Sequence, residues 1–82
     1  MEEFLRYVIS QLIEFPDELV ITRHEDGRKI LFHLNMRETD VGKVIGKHGQ
    51  TIAAIRSLLN ASASRHGQKA SLQIIEENAP AD

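Results

Sequence analysis

The chain has 82 residues, 41% of them apolar, no cysteine, and a formal charge of -2 from ten Lys and Arg against twelve Asp and Glu. That length fits one domain with one modest core and leaves little room for a large enclosed active site. The missing cysteine excludes disulfide stapling, thiolate zinc sites and cysteine nucleophiles, so stability must come from packing, helped by self-association.

In chain order, Phe4, Leu5, Val8, Ile9, Leu12 and Ile13 recur as one apolar stripe, which predicts an amphipathic helix over residues 2–14 stopped by Pro16. Its polar face lacks the dense Lys and Arg of a membrane-anchoring helix, so the stripe is expected to pack on a sheet. Glu2 and Glu3 stand where a secretory signal carries positive charge, and no apolar run approaches the length of a membrane span. The chain therefore reads as cytoplasmic, with no membrane partner.

Leu19 to Arg23 is rich in strand formers, and Asp26-Gly27 is a turn signal before a second strand over Lys29 to Met36. There Ile30, Phe32, Leu34 and Met36 fall on one side, with Leu31, His33 and Asn35 on the other. Thr39 or Asp40 can cap a short helix beginning near Val41 and ended by Gly46. A longer helix from Gly49 or Gln50 to Arg65 turns Ile52, Ile55, Leu58, Leu59 and Ala63 inward, with Gly67 as its C-terminal cap. Ala70, Leu72 and Ile74 alternate with polar neighbours in a last strand, and the remainder is a polar tail with Pro80. The predicted class is α+β, in the order α-β-β-α-α-β. Its three-stranded mixed sheet has an antiparallel hairpin, a parallel third strand reached by a right-handed crossover, and three helices on one face.

Charge is unevenly placed. From Val41 to Ile75 the chain carries Lys43, Lys47, Arg56, Arg65 and Lys69 with no acid, a sum of +5, while the rest sums to -7. Such segregation can draw an anion to one face under a negative total, although chance clustering that serves only solubility gives the same count.

Within the basic stretch lies Val44-Ile45-Gly46-Lys47-His48-Gly49-Gln50-Thr51-Ile52. Two glycines three apart can turn the chain sharply and let a partner approach the backbone, beside the free amides of the following helix start. Lys47 adds a mobile positive charge and His48 a ring that can stack or donate. With Val44, Ile45 and Ile52 flanking the turn, a narrow groove fits single-stranded nucleic acid better than duplex. The plainer reading is a tight turn between two helices with Ile45 and Ile52 as core residues. A nucleotide-hydrolysing loop fails on spacing, since Gly42 and Gly46 enclose three residues and Lys47 is followed by His48. The four histidines are scattered without a metal-ligand pair, Ser57 and Ser62 lack a base, and the chain is not read as an enzyme.

The segment Val44 to Ile52 resembles the aliphatic-Ile-Gly-X-X-Gly-X-X-aliphatic signature of the K-homology (KH) domain, and the element order resembles its type II topology. The run Asp40 to Gly49 and the alanine-rich helix after it are similar to the small bacterial single-KH proteins of the KhpA (YlqC-type) family, over about residues 2–76. The resemblance implies one KH domain over 1–76 with a polar, flexible tail over 77–82, no cofactor and no metal. It implies RNA backbone contact at Gly46, Lys47, His48 and Gly49, and a hydrophobic groove from Val41, Val44, Ile45 and Ile52 for about four nucleotides. Lys43 and Arg56 complete the candidate RNA-binding set. It further implies a homodimer, a heteropartner of the KhpB (Jag) type, and post-transcriptional control touching cell division and envelope growth. A KH-like protein-interaction module with little RNA binding of its own is the competing reading.

Overall fold

The computed structural model describes residues 1–75; the expected tail over 77–82, and the last residue of the expected domain, lie outside them. The elements are α1 (Glu2–Leu12), β1 (Val20–Asp26), β2 (Lys29–Asn35), α2 (Glu38–Ile45), α3 (Gln50–Ser64) and β3 (Lys69–Ile74), with short 3-10 turns at Pro16–Glu18 and Lys47–Gly49. β1 pairs antiparallel with β2, and β2 pairs parallel with β3, giving the predicted mixed sheet with β1 and β3 at its edges.

Period-two burial sets the sheet's orientation. Ile30, Phe32 and Leu34 of β2 and Ala70 and Leu72 of β3 are buried, and their partners in register share that face. They pack with Leu5 and Ile9 of α1, Val44 of α2, and Ile52, Ile55, Leu59 and Ala63 of α3 in one core. Full burial of each large aliphatic or aromatic side chain contributes about 1.5–3 kcal/mol, so the helices are held to this face by the sheet's own alternation.

Four expectations need correction. α1 stops at Leu12 instead of residue 14, because the amides of Glu14 and Phe15 donate to the Asp40 carboxylate at 3.1 and 3.0 Å rather than to carbonyls one turn back. Asp40 therefore does not cap its own helix: α2 begins at Glu38, and Asp40, fully buried in its first turn, anchors the end of α1. The hairpin turn is Gly27-Arg28, since Asp26 pairs with Lys29; Gly27 has φ 62° and Arg28 does not have positive φ, the pattern of a Gly-first reverse turn. Finally, Leu58 and Phe4 lie at the margins of their stripes and are 57% and 40% exposed, because at about 100° per residue Leu59 and Leu5 take the core-facing positions.

The corner after α1 is closed by Arg37, which stacks 3.8 Å above the Phe15 ring and pairs with Glu18 at 2.6 Å. At the other end of the molecule, Gly67 (φ 69°) terminates α3. The amide of Gln68 bonds the Ala63 carbonyl at 2.9 Å, and that of Gly67 bonds Ser64 at 3.0 Å. This is the six-to-one and five-to-two pairing of a left-handed glycine cap, and it directs the chain back into β3.

Candidate functional site

The α2–α3 junction is built by two glycines that do different things. Gly46 ends α2 with φ 76° and ψ 177°, a region open essentially to glycine alone, while its amide bonds Gly42 at 2.9 Å. A methyl group here would overlap the Thr51 hydroxyl and lie 2.6 Å from the Thr51 Cβ. Gly46 is therefore required by the fold, and Thr51, which sequence reasoning did not single out, is the side chain that packs on it. Gly49 also has positive φ, 72°, but a side chain there would meet nothing within 4 Å. The open space beside Gly49 leaves its backbone accessible to a partner.

Between them, Lys47 and His48 are exposed. His48 has φ 56° and ψ 25°, and among the described residues it is the non-glycine with positive φ. Holding a non-glycine residue there costs about 1–2 kcal/mol, and it turns the chain so that α3 begins at once. Gly49 offers that helix start no side-chain cap, and although the Gln50 amide donates to the Lys47 carbonyl, the partial positive charge of the helix start lies at the loop. Lys47 makes no ion pair among the described residues.

The aliphatic candidates separate by exposure. Ile45 is 37% exposed beside the loop, Val41 and Ile52 are each 6% exposed, and Val44 lies wholly within the core. Of the four, Ile45 thus presents most of the apolar surface.

The charged candidates are similarly distinguished by their partners. Lys43 lies 3.5 Å from both Glu14 and the buried Asp40, so its charge is largely answered within the protein. Burial pushes the Asp40 carboxyl up, but the Glu14 and Phe15 amides and then the Lys43 ammonium outweigh it, and the net displacement is downward. Arg56 extends from α3 to the Leu72 carbonyl at 3.2 Å. One turn later, the Asn60 side chain accepts the Ala70 amide at 3.1 Å. The amides of Lys69 and Ile75 bond β2 residues or their flanks, so Ala70 and Leu72 turn their backbone polar groups to the free edge of β3. α3 consequently runs antiparallel along that edge, in a seam that starts at the loop and passes Arg56 and Asn60.

The acid-free stretch is therefore not gathered on one patch. Lys47 lies at the loop, Arg56 partway down the seam, and Arg65 and Lys69 at its far end. Among the described residues, no group of three or more His, Cys, Asp or Glu side chains converges as a metal site, and no helix is long and apolar enough to cross a membrane.

Comparison with known proteins covers nearly the whole chain. The family model described as "KhpA/KhpB, KH domain" matches residues 2–74. The chain is 44% identical over 77 residues to "RNA-binding protein KhpA" of Chlamydia pneumoniae, covering 94% of this chain and 99% of that protein. It is 37% identical over 76 residues to the protein of that name from Listeria monocytogenes, covering 93% and 100%. The counterpart from Oceanobacillus iheyensis is 35% identical over 75 residues, covering 92% and 100%. No solved structure matches significantly.

Proposed function

Because this chain belongs to the KhpA/KhpB KH-domain family, we propose that it binds single-stranded RNA through Gly46-Lys47-His48-Gly49 and the apolar groove beside Ile45. The observation that carries this reading is the open space at Gly49 next to Lys47, which has no ion-pair partner among the described residues, where a phosphodiester backbone can lie against peptide backbone. Val41 and Ile52 form the floor behind Ile45, Val44 supports it from the core, and Lys43 and Arg56 border it. The protein is a cytoplasmic binding module without catalysis, a post-transcriptional regulator or RNA chaperone acting with a partner.

Replacing Lys47 and His48 together with Glu tests the assignment. Circular dichroism and oligomeric mass stay nearly unchanged, and crosslinking to cellular RNA is abolished. Undiminished crosslinking moves the binding site away from the loop and favours a protein-interaction module.

One small groove binds weakly and with strong salt dependence. A second groove on the same RNA raises the effective concentration of the second contact, which favours a homodimer or a heteropartner of the KhpB (Jag) type. The helical face is the favoured homodimer surface, because Phe4 and Leu58 are exposed there and share a shallow depression with Met1, Ala61, Ser62 and Arg65.

A further inference from the structure

We propose that His24 and His33 form a binding site for a divalent transition-metal ion of the Ni²⁺, Cu²⁺ or Zn²⁺ class, on the sheet face turned away from the helices. The site is independent of the RNA-binding loop.

The histidines look scattered along the chain, and the hairpin register is what joins two of them. His24 stands opposite Leu31 and His33 opposite Thr22, so the two histidines are diagonal neighbours on adjacent strands. Alternation places them on the face opposite Ile30, Phe32 and Leu34, which are buried in the core. His24 is exposed and His33 half-buried, and their ring centroids lie 4.7 Å apart with the planes inclined at 56°.

That separation suits two ligands of one ion. A metal about 2.0–2.1 Å from an imidazole nitrogen lies about 3.2 Å from the centroid of that ring. Two rings that share an ion at any angle from a right angle to the tetrahedral one have centroids about 4.5–5.2 Å apart. Side-chain rotation alone can then aim one nitrogen of each ring at a common point, while the paired strands hold the two backbones in place. A plain ring-to-ring contact has a similar separation, and metal binding is the property that separates the two.

The surroundings set the kind of site. Leu31, Thr22 and Gln73, the residues directly opposite the two histidines in register, carry no charge. Lys29, on the other diagonal from His24, is matched in register by Asp26. No third His, Cys, Asp or Glu converges on the pair among the described residues, so water completes the coordination and the ion is exchangeable, unlike that of a closed structural centre. Imidazole nitrogens favour ions of this class over Mg²⁺ and Ca²⁺, which take oxygen ligands.

Ni²⁺ titrated into the full chain by calorimetry, with thermal melts in its presence and absence, tests the site. Wild type and a His66→Gln control bind one equivalent per chain and melt at a higher temperature with the ion. His24→Gln and His33→Gln each bind at least about tenfold more weakly and lose that rise. In the wild-type chain the paramagnetic ion broadens the amide resonances of Thr22, His24, Leu31 and His33 before those of His48 and His66. Equal Ni²⁺ affinity in wild type and both sheet variants, or first broadening at His48 or His66, overturns the site. A lower melting temperature of the ion-free variants with unchanged Ni²⁺ affinity assigns the pair to ring contact alone and also overturns it. Displacement of Ni²⁺ by an equal concentration of Mg²⁺ has the same consequence, since it shows attraction to charge without ligation by nitrogen.

Discussion

Asp40 holds Phe15 by its backbone: the buried carboxylate on α2 accepts the Phe15 amide at 3.0 Å and the Glu14 amide at 3.1 Å. One side chain thus closes α1, fixes the corner into β1, and sets where α2 starts, about two turns before the Gly46–Gly49 loop. Asp40→Asn retains one acceptor but turns an NH2 toward the other amide, so it lowers the thermal midpoint at pH 7 by roughly 5 °C or more. The pH dependence has a definite sign. The folded carboxyl titrates below its ordinary 3.8, so its stabilisation is complete above that value and is lost as pH falls through the folded one. Midpoints measured across this acid range should fall less steeply for Asp40→Asn than for wild type; parallel curves would deny Asp40 its part in acid unfolding.

The two loop glycines should respond to substitution in different ways. Gly46→Ala combines an unfavourable backbone region with overlap on Thr51, and costs at least about 2 kcal/mol in urea unfolding. Gly49→Ala meets open space and costs about 1 kcal/mol, yet its methyl occupies the surface assigned to RNA, so affinity falls while the fold persists. Equal RNA affinity of Gly49→Ala and wild type would remove the close backbone approach from the mechanism.

Contiguous features of this fold were readable without coordinates. Ile30, Phe32 and Leu34 alternate because only one sheet face is covered, Gly46 and Gly67 mark helix ends that need positive φ, and the loop candidates are neighbours in the chain. What escaped depends on meetings between distant segments. Asp40 has the composition of a helix cap, and only the approach of Glu14 and Phe15 makes it a tertiary anchor. Lys43 looks like a free cation until Glu14 is placed beside it. Lys29 belongs to the acidic part of the sequence, and only the β2–β3 register brings it to Lys69. Leu58 differs from Leu59 by one helical step, too small for periodicity to separate core from rim.

Leu58 and Phe4 also allow self-association to be tested apart from RNA binding. Leu58 is 57% exposed, so Leu58→Arg leaves the monomer's stability within about 0.5 kcal/mol. If the helical face is the homodimer surface, sedimentation velocity shows the variant shifted to monomer, and long-RNA affinity falls with the lost second groove. An unchanged sedimentation coefficient directs attention to the open sheet face.

Arg56 and Asn60 reach the same free edge of β3, and their substitution should separate an RNA contact from a purely structural one. Asn60 accepts the Ala70 amide in a half-shielded position, while its own NH2 donates to the Arg56 carbonyl at 3.2 Å. Asn60→Ala leaves that amide without its acceptor and lowers unfolding free energy by about 1–2 kcal/mol. Arg56 donates to a carbonyl that water can also reach when the side chain is removed, so Arg56→Ala has the smaller effect on stability, within about 1 kcal/mol. Its effect on RNA is the larger, because a guanidinium midway along the seam can release Leu72 and meet a phosphate or base edge. Urea unfolding and RNA titration of both variants decide the matter. A greater affinity loss for Arg56→Ala, with a shallower salt slope, supports the seam as the RNA path, whereas affinity losses that merely follow stability losses place Arg56 with Asn60 as edge support.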